Sequence, residues 1–200
     1  MKAKECIEIF NTCIRTYHKT DDVNTRLNNP FPENSINNIL YLKSWIDTVQ
    51  WHLEDIIREP NIDAAEGMKI KRRIDKSNQH RTDVVERIDD YYIHFFKDII
   101  LNENAKLNTE SPAWVIDRLS ILCLKIYHMK EQTFRKDVDE NHIKQCSFKL
   151  NILLEQQEDL STSLDQFLIE VSNGEKEIKV YRQMKMYNDS TLNPILYTNK

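Results

Sequence analysis

Glycine and proline are scarce in this chain, which contains only 2 glycines and 5 prolines among its 200 residues. Antiparallel strands are joined by tight turns that depend on these residues, so a fold built mainly from β-hairpins is disfavoured. Phosphate-binding loops and the nucleophile turn of many hydrolases need several closely spaced glycines, and no such motif occurs. The scarcity therefore excludes these classes and favours long helices.

Long apolar runs are also missing. None approaches the roughly 20 residues that a membrane-spanning helix requires. The first residues, MKAKECIEIFNTC, lack the continuous apolar core of a secretory signal. We therefore expect a cytoplasmic protein that does not interact with membranes.

Cysteine spacing and net charge exclude two further kinds of site. The 4 cysteines occur singly, so zinc-ribbon and thioredoxin-type motifs are excluded, and buried free thiols are expected. The net charge of −4 argues against a protein whose main role is to bind nucleic-acid phosphates. The cysteines are Cys6, Cys13, Cys123 and Cys146.

Apolar residues recur at three- and four-residue steps over five segments, which predicts five helices. Candidate caps are Ser35 or Asn34, Asp63 with Glu66, and Ser111 followed by Pro112. The predicted helices cover about 3–17, 36–59, 63–101, 112–129 and 139–172. This pattern predicts an all-α fold, an antiparallel bundle of four long helices with a short N-terminal helix and a short C-terminal helix or coil tail. We expect one domain over residues 1–200, and its heptads are compatible with a homo-oligomer.

Polar residues interrupt the apolar stripe of the third helix near its middle. At 100° per residue, Ser77 and Arg81 fall inside the stripe, with Asn78 and Arg73 on its two sides. The fifth helix has a similar interruption at Gln157, and Gln50 borders the stripe of the second helix. The sequence therefore predicts a polar layer halfway along the bundle.

Arg81 is the residue that most needs an explanation, because a guanidinium removed from water requires an anionic partner and cannot lose its proton. One interpretation is a structural network closed by a protein carboxylate that fixes helix register. The candidate carboxylates are Glu54, Asp75, Glu158 and Asp165. Another interpretation is a curved or kinked helix that leaves Arg81 at the surface.

The functional interpretation is a pocket for a small anionic metabolite, phosphorylated or carboxylated, because binding sites in bundles are built from inward-facing side chains. Whether a reaction follows is left open, and His52 or His80 at the rim would then carry the proton. The competing interpretation is a non-enzymatic interaction or scaffold protein whose polar layer is purely structural. The predicted ligand-binding residues are Arg81, Arg73, Ser77, Asn78, Gln157 and His52.

Two histidine–carboxylate pairs on single helices suggest a metal site but do not support one. His52 with Asp55 and His80 with Asp83 have the one-turn spacing. Each histidine lies about a right angle from the centre of its stripe, and each aspartate points further outward. We therefore predict no metal and no cofactor.

The tail carries a basic strip interleaved with aromatic residues. Such a strip can bind phosphate and stack on a ring, although a solvated helix face is the more common outcome. The strip consists of Lys176, Lys179, Arg182 and Lys185, with Tyr181 and Tyr187.

Five sequence blocks resemble an uncharacterised bacterial family, number 4254 among the domains of unknown function. The blocks are NPFPENSI, YLKSWIDTVQWHLEDIIR, KRRIDKSNQHRTDVVERID, SPAWVIDRLSILCLKIYHM and YRQMKMYND. The resemblance covers about residues 28–197 and implies a bacterial, all-helical protein of this length. It implies no activity and no catalytic residues.

Overall fold

The computed structural model describes residues 1–184, 186 and 189–198. Its helices and two short strands follow one another as α1 (Ala3–Tyr17), α2 (Ile36–Ile56), α3 (Ala64–Phe95), β1 (Lys106–Leu107), α4 (Pro112–Thr133), α5 (Glu140–Ser172), β2 (Lys176–Glu177) and α6 (Pro194–Tyr197). The fold is thus all-α and bundle-like with short terminal elements, as the sequence predicts.

Polar side chains begin the four long helices where the sequence places them. Ser35 accepts a hydrogen bond from the backbone N–H of Asn38 at the start of α2. Asp63 does the same for the first turn of α3, Ser111 for α4 and Asp139 for α5. These bonds satisfy backbone donors that have no partner inside a helix, so they locate each helix start from local chemistry.

The core surrounds α2, which packs against α1, α3 and α4. Side chains on several sides of α2 are buried, including the polar Lys43, Ser44, Asp47 and Thr48 as well as Leu40. α5 packs chiefly against α4, and only four of its side chains are buried. α2 is therefore a central helix of the bundle, with more than one buried face.

The sequence predicts that α3 runs to about Leu101, but the helix ends at Phe95. Two short strands that follow it explain the difference. β1 and β2 pair in parallel, with Lys106 opposite Lys176. Just before β1, the N–H of Asn102 donates to the carbonyl of Gly174 at 2.9 Å. The backbone after α3 thus bonds to the segment after α5 and leaves the helical path.

The tail returns to α3 through Arg182, which pairs with Glu86 at 3.4 Å and also with Asp90. Within the basic strip of the tail, Lys185 and Tyr187 lie outside the described residues. The sequence predicts a short helix before Asn188 and coil after it. Instead, residues 178–184 form no helix, and the short helix α6 lies beyond Asn188.

All four cysteines are buried free thiols, as the sequence predicts. Among the described residues, no helix combines the length and the apolar character needed to cross a bilayer.

Candidate functional site

Arg81 projects from the middle of α3 toward α2 and α4, where it meets two aspartates. Its Nε donates to Oδ1 of Asp117 at 3.0 Å, and its Nη2 donates to Oδ2 of Asp117 at 2.5 Å. Oδ1 of Asp47 lies 3.4 Å from the same Nε. α3 is continuous through Arg81, whose side chain is 26% exposed, so the interpretation of a kink that leaves Arg81 at the surface is wrong.

A second cation completes this cluster. The ammonium group of Lys43 is fully buried, pairs with Asp47 and lies 2.9 Å from Oδ1 of Asp117. Ser120 donates its hydroxyl hydrogen to Oδ2 of Asp47 at 2.6 Å. We call Lys43, Asp47, Arg81 and Asp117 the buried ion cluster; it holds two cations and two carboxylates and is electrically balanced.

Burial raises the pKa of Asp47, and the nearby Asp117 carboxylate raises it further, while Lys43 opposes both effects. The increase measures how much the ionised carboxylate loses when it leaves water. Oδ1 of Asp47 has no hydrogen bond within the described part of the chain and keeps only the ionic contact with Arg81. The cluster thus depends on charge balance more than on complete hydrogen bonding.

The polar layer lies beside this cluster between α2 and α3. The Ser77 hydroxyl donates to Oε1 of Gln50 at 3.0 Å, and Nε2 of Gln50 donates to Oδ1 of Asn78 at 2.8 Å. The structure therefore brings together the Ser77, Asn78 and Gln50 that the sequence places at one depth.

Three other predicted site residues lie elsewhere. Arg73 donates to Oδ1 of Asn24 at 3.0 Å and to the carbonyl of Val23, so it holds the loop after α1. Gln157 on α5 hydrogen-bonds to Sγ of Cys123 at 3.3 Å. The prediction that these two residues lie beside Arg81 is therefore wrong. The loop between α1 and α2 binds Arg73, and α4 lies between Gln157 and the polar layer.

His52 is the third of them, since it faces the end of α1. Its Nε2 lies 3.2 Å from Nε2 of His18 and 3.6 Å from Oδ1 of Asp21. Burial lowers the pKa of His52; Asp21 opposes this, and the neighbouring His18 and His128 lower the pKa further. A neutral imidazole at this position is a potential metal ligand or proton acceptor.

The carboxylates expected to meet Arg81 are not the ones that do. Glu54 pairs with Arg58 at 2.7 Å, Asp75 pairs with Lys71, and Asp165 accepts the N–H of Ala3 at 2.8 Å. Helical periodicity does not reveal Asp47 and Asp117, because it gives α2 and α4 one apolar stripe each, whereas both helices are buried on further faces. The Lys43–Asp47 spacing of four residues was a signal available in the sequence.

A cavity of about 320 Å³ opens beside Arg81. Within the described part of the chain, Nη1 of Arg81 has no hydrogen-bond or ion-pair partner. Asp55, at the same cavity, also has no ion-pair partner there. The cavity is lined by Asp47, Gln50, Trp51, Glu54, Asp55, Arg58, Arg81, Ile121 and Leu124.

Comparison with known protein families gives a match over most of the chain. A family model described as "Protein of unknown function (DUF4254)" matches residues 37–180, which include α2 except its first residue, all of α3 to α5, and the buried ion cluster. No curated protein and no solved structure matches the chain.

Proposed function

The chain belongs to the DUF4254 family of proteins of unknown function, and because membership assigns no activity, we propose from the site that it binds a small anionic molecule. The proposed binding site is the cavity beside Arg81, and the ligand carries a carboxylate or a phosphate. The observation that carries the proposal is the unused Nη1 edge of a guanidinium whose other edge is fixed by Asp117.

Fixing one edge of Arg81 prepares the other edge for binding. The two bonds to Asp117 hold the guanidinium plane, so a ligand does not have to immobilise a flexible side chain. The volume of about 320 Å³ lies within the range of small-molecule sites. An anion at Nη1 gains a charge-assisted hydrogen bond in a partly water-excluded position.

The rest of the lining indicates what else the ligand carries. Trp51, Ile121 and Leu124 provide an apolar wall. Asp55 is a carboxylate without an ion-pair partner among the described residues, so it favours a ligand that also has a hydroxyl or amino group. A phosphorylated or carboxylated metabolite with such a donor fits this lining better than a bare dianion.

The experiment measures binding of inorganic phosphate, glucose 6-phosphate, AMP and succinate to the purified protein by calorimetry and by thermal shift. We expect at least one organic probe to bind with a stoichiometry of one and to raise the melting temperature, because a ligand that binds only the folded state stabilises it. Arg81→Lys keeps the positive charge near Asp117 but loses the second edge of the guanidinium. This variant should bind about 10- to 100-fold more weakly, as expected for loss of a charge-assisted hydrogen bond.

The matched control is Arg118→Lys, since Arg118 is an exposed arginine of α4 that pairs with Glu110 and does not line this cavity. Its affinity should equal that of the wild type. Equal affinity of Arg81→Lys and the wild type, or no saturable binding of any probe, contradicts the proposal.

A second candidate is an interaction or scaffold protein, and the charge balance of the buried ion cluster favours it. Two cations facing two carboxylates need no ligand, so the cluster can serve only to fix how α2, α3 and α4 pack. A stable complex with one specific protein, recovered from native extract by wild type and Arg81→Lys alike and without any small-molecule binding, would support this alternative.

A further inference from the structure

Three histidines at or near the ends of three different helices meet at one end of the bundle. His18 follows α1, His52 lies near the end of α2 and His128 lies near the end of α4. One ring nitrogen of each lies within 4.8 Å of one ring nitrogen of the others. Each histidine is half-buried, and the site is separate from the cavity lining at Arg81.

The backbone and a carboxylate orient two of the three rings. Nδ1 of His18 lies 2.7 Å from the carbonyl oxygen of Ile14, and Nδ1 of His128 lies 2.9 Å from Oε2 of Glu131. Both partners accept a hydrogen bond, so each Nδ1 carries the proton and each Nε2 offers a lone pair. A second shell of this kind is typical of metal-binding histidines.

One of these two nitrogens lacks a hydrogen-bond partner among the described residues, and the other meets the ring of His52. Nε2 of His128 is buried and has no hydrogen-bond partner within the described part of the chain. Such an orphaned acceptor costs free energy, which a bound cation would recover. Nε2 of His18 lies 3.2 Å from Nε2 of His52, so only one of these two nitrogens can carry a hydrogen along that line.

Aromatic rings hold the three imidazoles in place. Tyr17 stacks on His52 with ring centroids 5.1 Å apart, and Tyr127 stacks on His18 at 4.3 Å. The indole of Trp51 stacks on His128 at 5.0 Å with an interplanar angle of 11°. These contacts restrict ring rotation, so the site is preorganised and bordered by apolar surface.

We propose that His18, His52 and His128 bind one divalent transition-metal ion of the zinc class through their Nε2 atoms. Tetrahedral zinc with Zn–N bonds of about 2.0–2.1 Å places its ligand nitrogens about 3.3 Å apart, close to the 3.2 Å between His18 and His52. Imidazole ligands suit zinc, copper, nickel and iron. The hard ions calcium and magnesium prefer a cage of oxygen ligands, and the described residues place three imidazoles here instead.

The fourth coordination position is open to water or to Asp21. Oδ1 of Asp21 lies 3.6 Å from Nε2 of His52, and its side chain is largely exposed. Asp21 has a positive φ of 48°, a left-handed conformation that aspartate tolerates better than most residues. Three protein ligands with one open position are the pattern of catalytic zinc sites, whereas structural zinc sites use four.

Helix-by-helix reasoning cannot find such a site. Spacing along one helix pairs His52 and His80 only with carboxylates of their own helices, whereas the three proposed ligands are separated by 34 and 76 residues along the chain. Within the described residues, no other group of histidine, cysteine or carboxylate side chains has this arrangement.

The experiment titrates tag-free, chelator-treated protein with Zn²⁺ by calorimetry and with Co²⁺ by visible absorption. We expect a stoichiometry of one, intense Co²⁺ bands of tetrahedral or five-coordinate type, and a higher melting temperature with Zn²⁺. His128→Gln should lower the Zn²⁺ affinity by about 100-fold or more. Glu131→Gln, which replaces the charged acceptor for Nδ1 of His128 with a neutral amide oxygen, should lower it by about tenfold.

His80→Gln is the matched control, because His80 is an exposed histidine of α3 outside the cluster. It should leave affinity and stoichiometry unchanged. If His128→Gln fails to fold, Glu131→Gln decides, since it changes an exposed side chain. Unchanged Zn²⁺ affinity in Glu131→Gln and His128→Gln, or no stoichiometric binding by the wild type, would overturn the proposal.

Discussion

At the scale of single residues, Asp89 shows how burial changes the chemistry of a carboxylate in α3. It is 1% exposed, accepts the hydroxyl hydrogen of Ser111 at 2.9 Å, and accepts the N–H of Ala113 at 3.3 Å. Burial raises the pKa of Asp89 to about 6, although these two hydrogen bonds act to lower it. Asp89 therefore links α3 to the first turn of α4 but is costly when ionised.

The raised pKa predicts a pH-dependent stability. Folding favours protonated Asp89, so its contribution is complete below the ordinary pKa of 3.8 and is lost as the pH rises through about 6. In Asp89→Asn this dependence disappears. The free energy of unfolding of the wild type minus that of the variant should therefore fall by on the order of 3 kcal/mol between pH 4 and pH 7.

Urea unfolding at several pH values measures this difference. Asp98→Asn, which removes an exposed carboxylate of the segment after α3, controls for the change in net charge. Parallel pH curves for the wild type and Asp89→Asn would show that the carboxyl group titrates alike in the folded and unfolded chains.

At the scale of helices and their ends, the two glycines have opposite roles. Gly174 follows α5 with a φ of +73°, and a Cβ there would lie 2.4 Å from the carbonyl oxygen of Ile100. Gly67 lies in the first turns of α3, where a Cβ would meet side-chain atoms of Ile57 and Ile62 at 3.6 and 3.7 Å. The first position excludes a side chain, and the second accommodates one.

Alanine at these positions should therefore change stability in opposite directions. Gly174→Ala should destabilise the protein by more than about 1–2 kcal/mol, because the left-handed backbone alone costs this much and the clash adds to it. Gly67→Ala should stabilise it by about 0.5–1 kcal/mol through helix propensity. Urea midpoints that shift in the same direction for both variants would contradict this account.

At the scale of the whole molecule, the buried ion cluster joins α2, α3 and α4 across the core. Lys43→Met leaves Asp47 and Asp117 facing Arg81 alone, and an uncompensated buried charge costs about 3–5 kcal/mol. Adding Asp47→Asn removes one charge of the opposite sign and restores the balance. The double variant should therefore be less destabilised than the sum of the single variants by about 1 kcal/mol or more.

A double-mutant cycle from equilibrium unfolding measures this coupling. The control cycle uses Lys71 and Asp75, an exposed pair with the same spacing of four residues on α3, and it should show far weaker coupling. Effects that add within about 0.5 kcal/mol at Lys43 and Asp47 would mean that the charges do not act as a unit.

Much of the fold follows from local chemistry and was predictable. Helix starts at Ser35, Asp63 and Ser111 depend on side-chain hydrogen bonds that reach only two or three residues along the chain. The end of α3 was not predictable in this way, because residues 102–107 bond to residues 174–177, which are distant in sequence.

The candidate site also has a part that follows from local sequence and a part that depends on contacts distant in sequence. The sequence by itself determined that α3 carries Ser77 and Arg81 within its apolar stripe, because helical periodicity converts spacing into a face. Only the tertiary structure decided that Asp47 and Asp117 meet this arginine and that His18 and His128 meet His52. The physical reason is that these contacts depend on how each helix is rotated about its axis and on which neighbours surround α2, and neither is a property of any one segment.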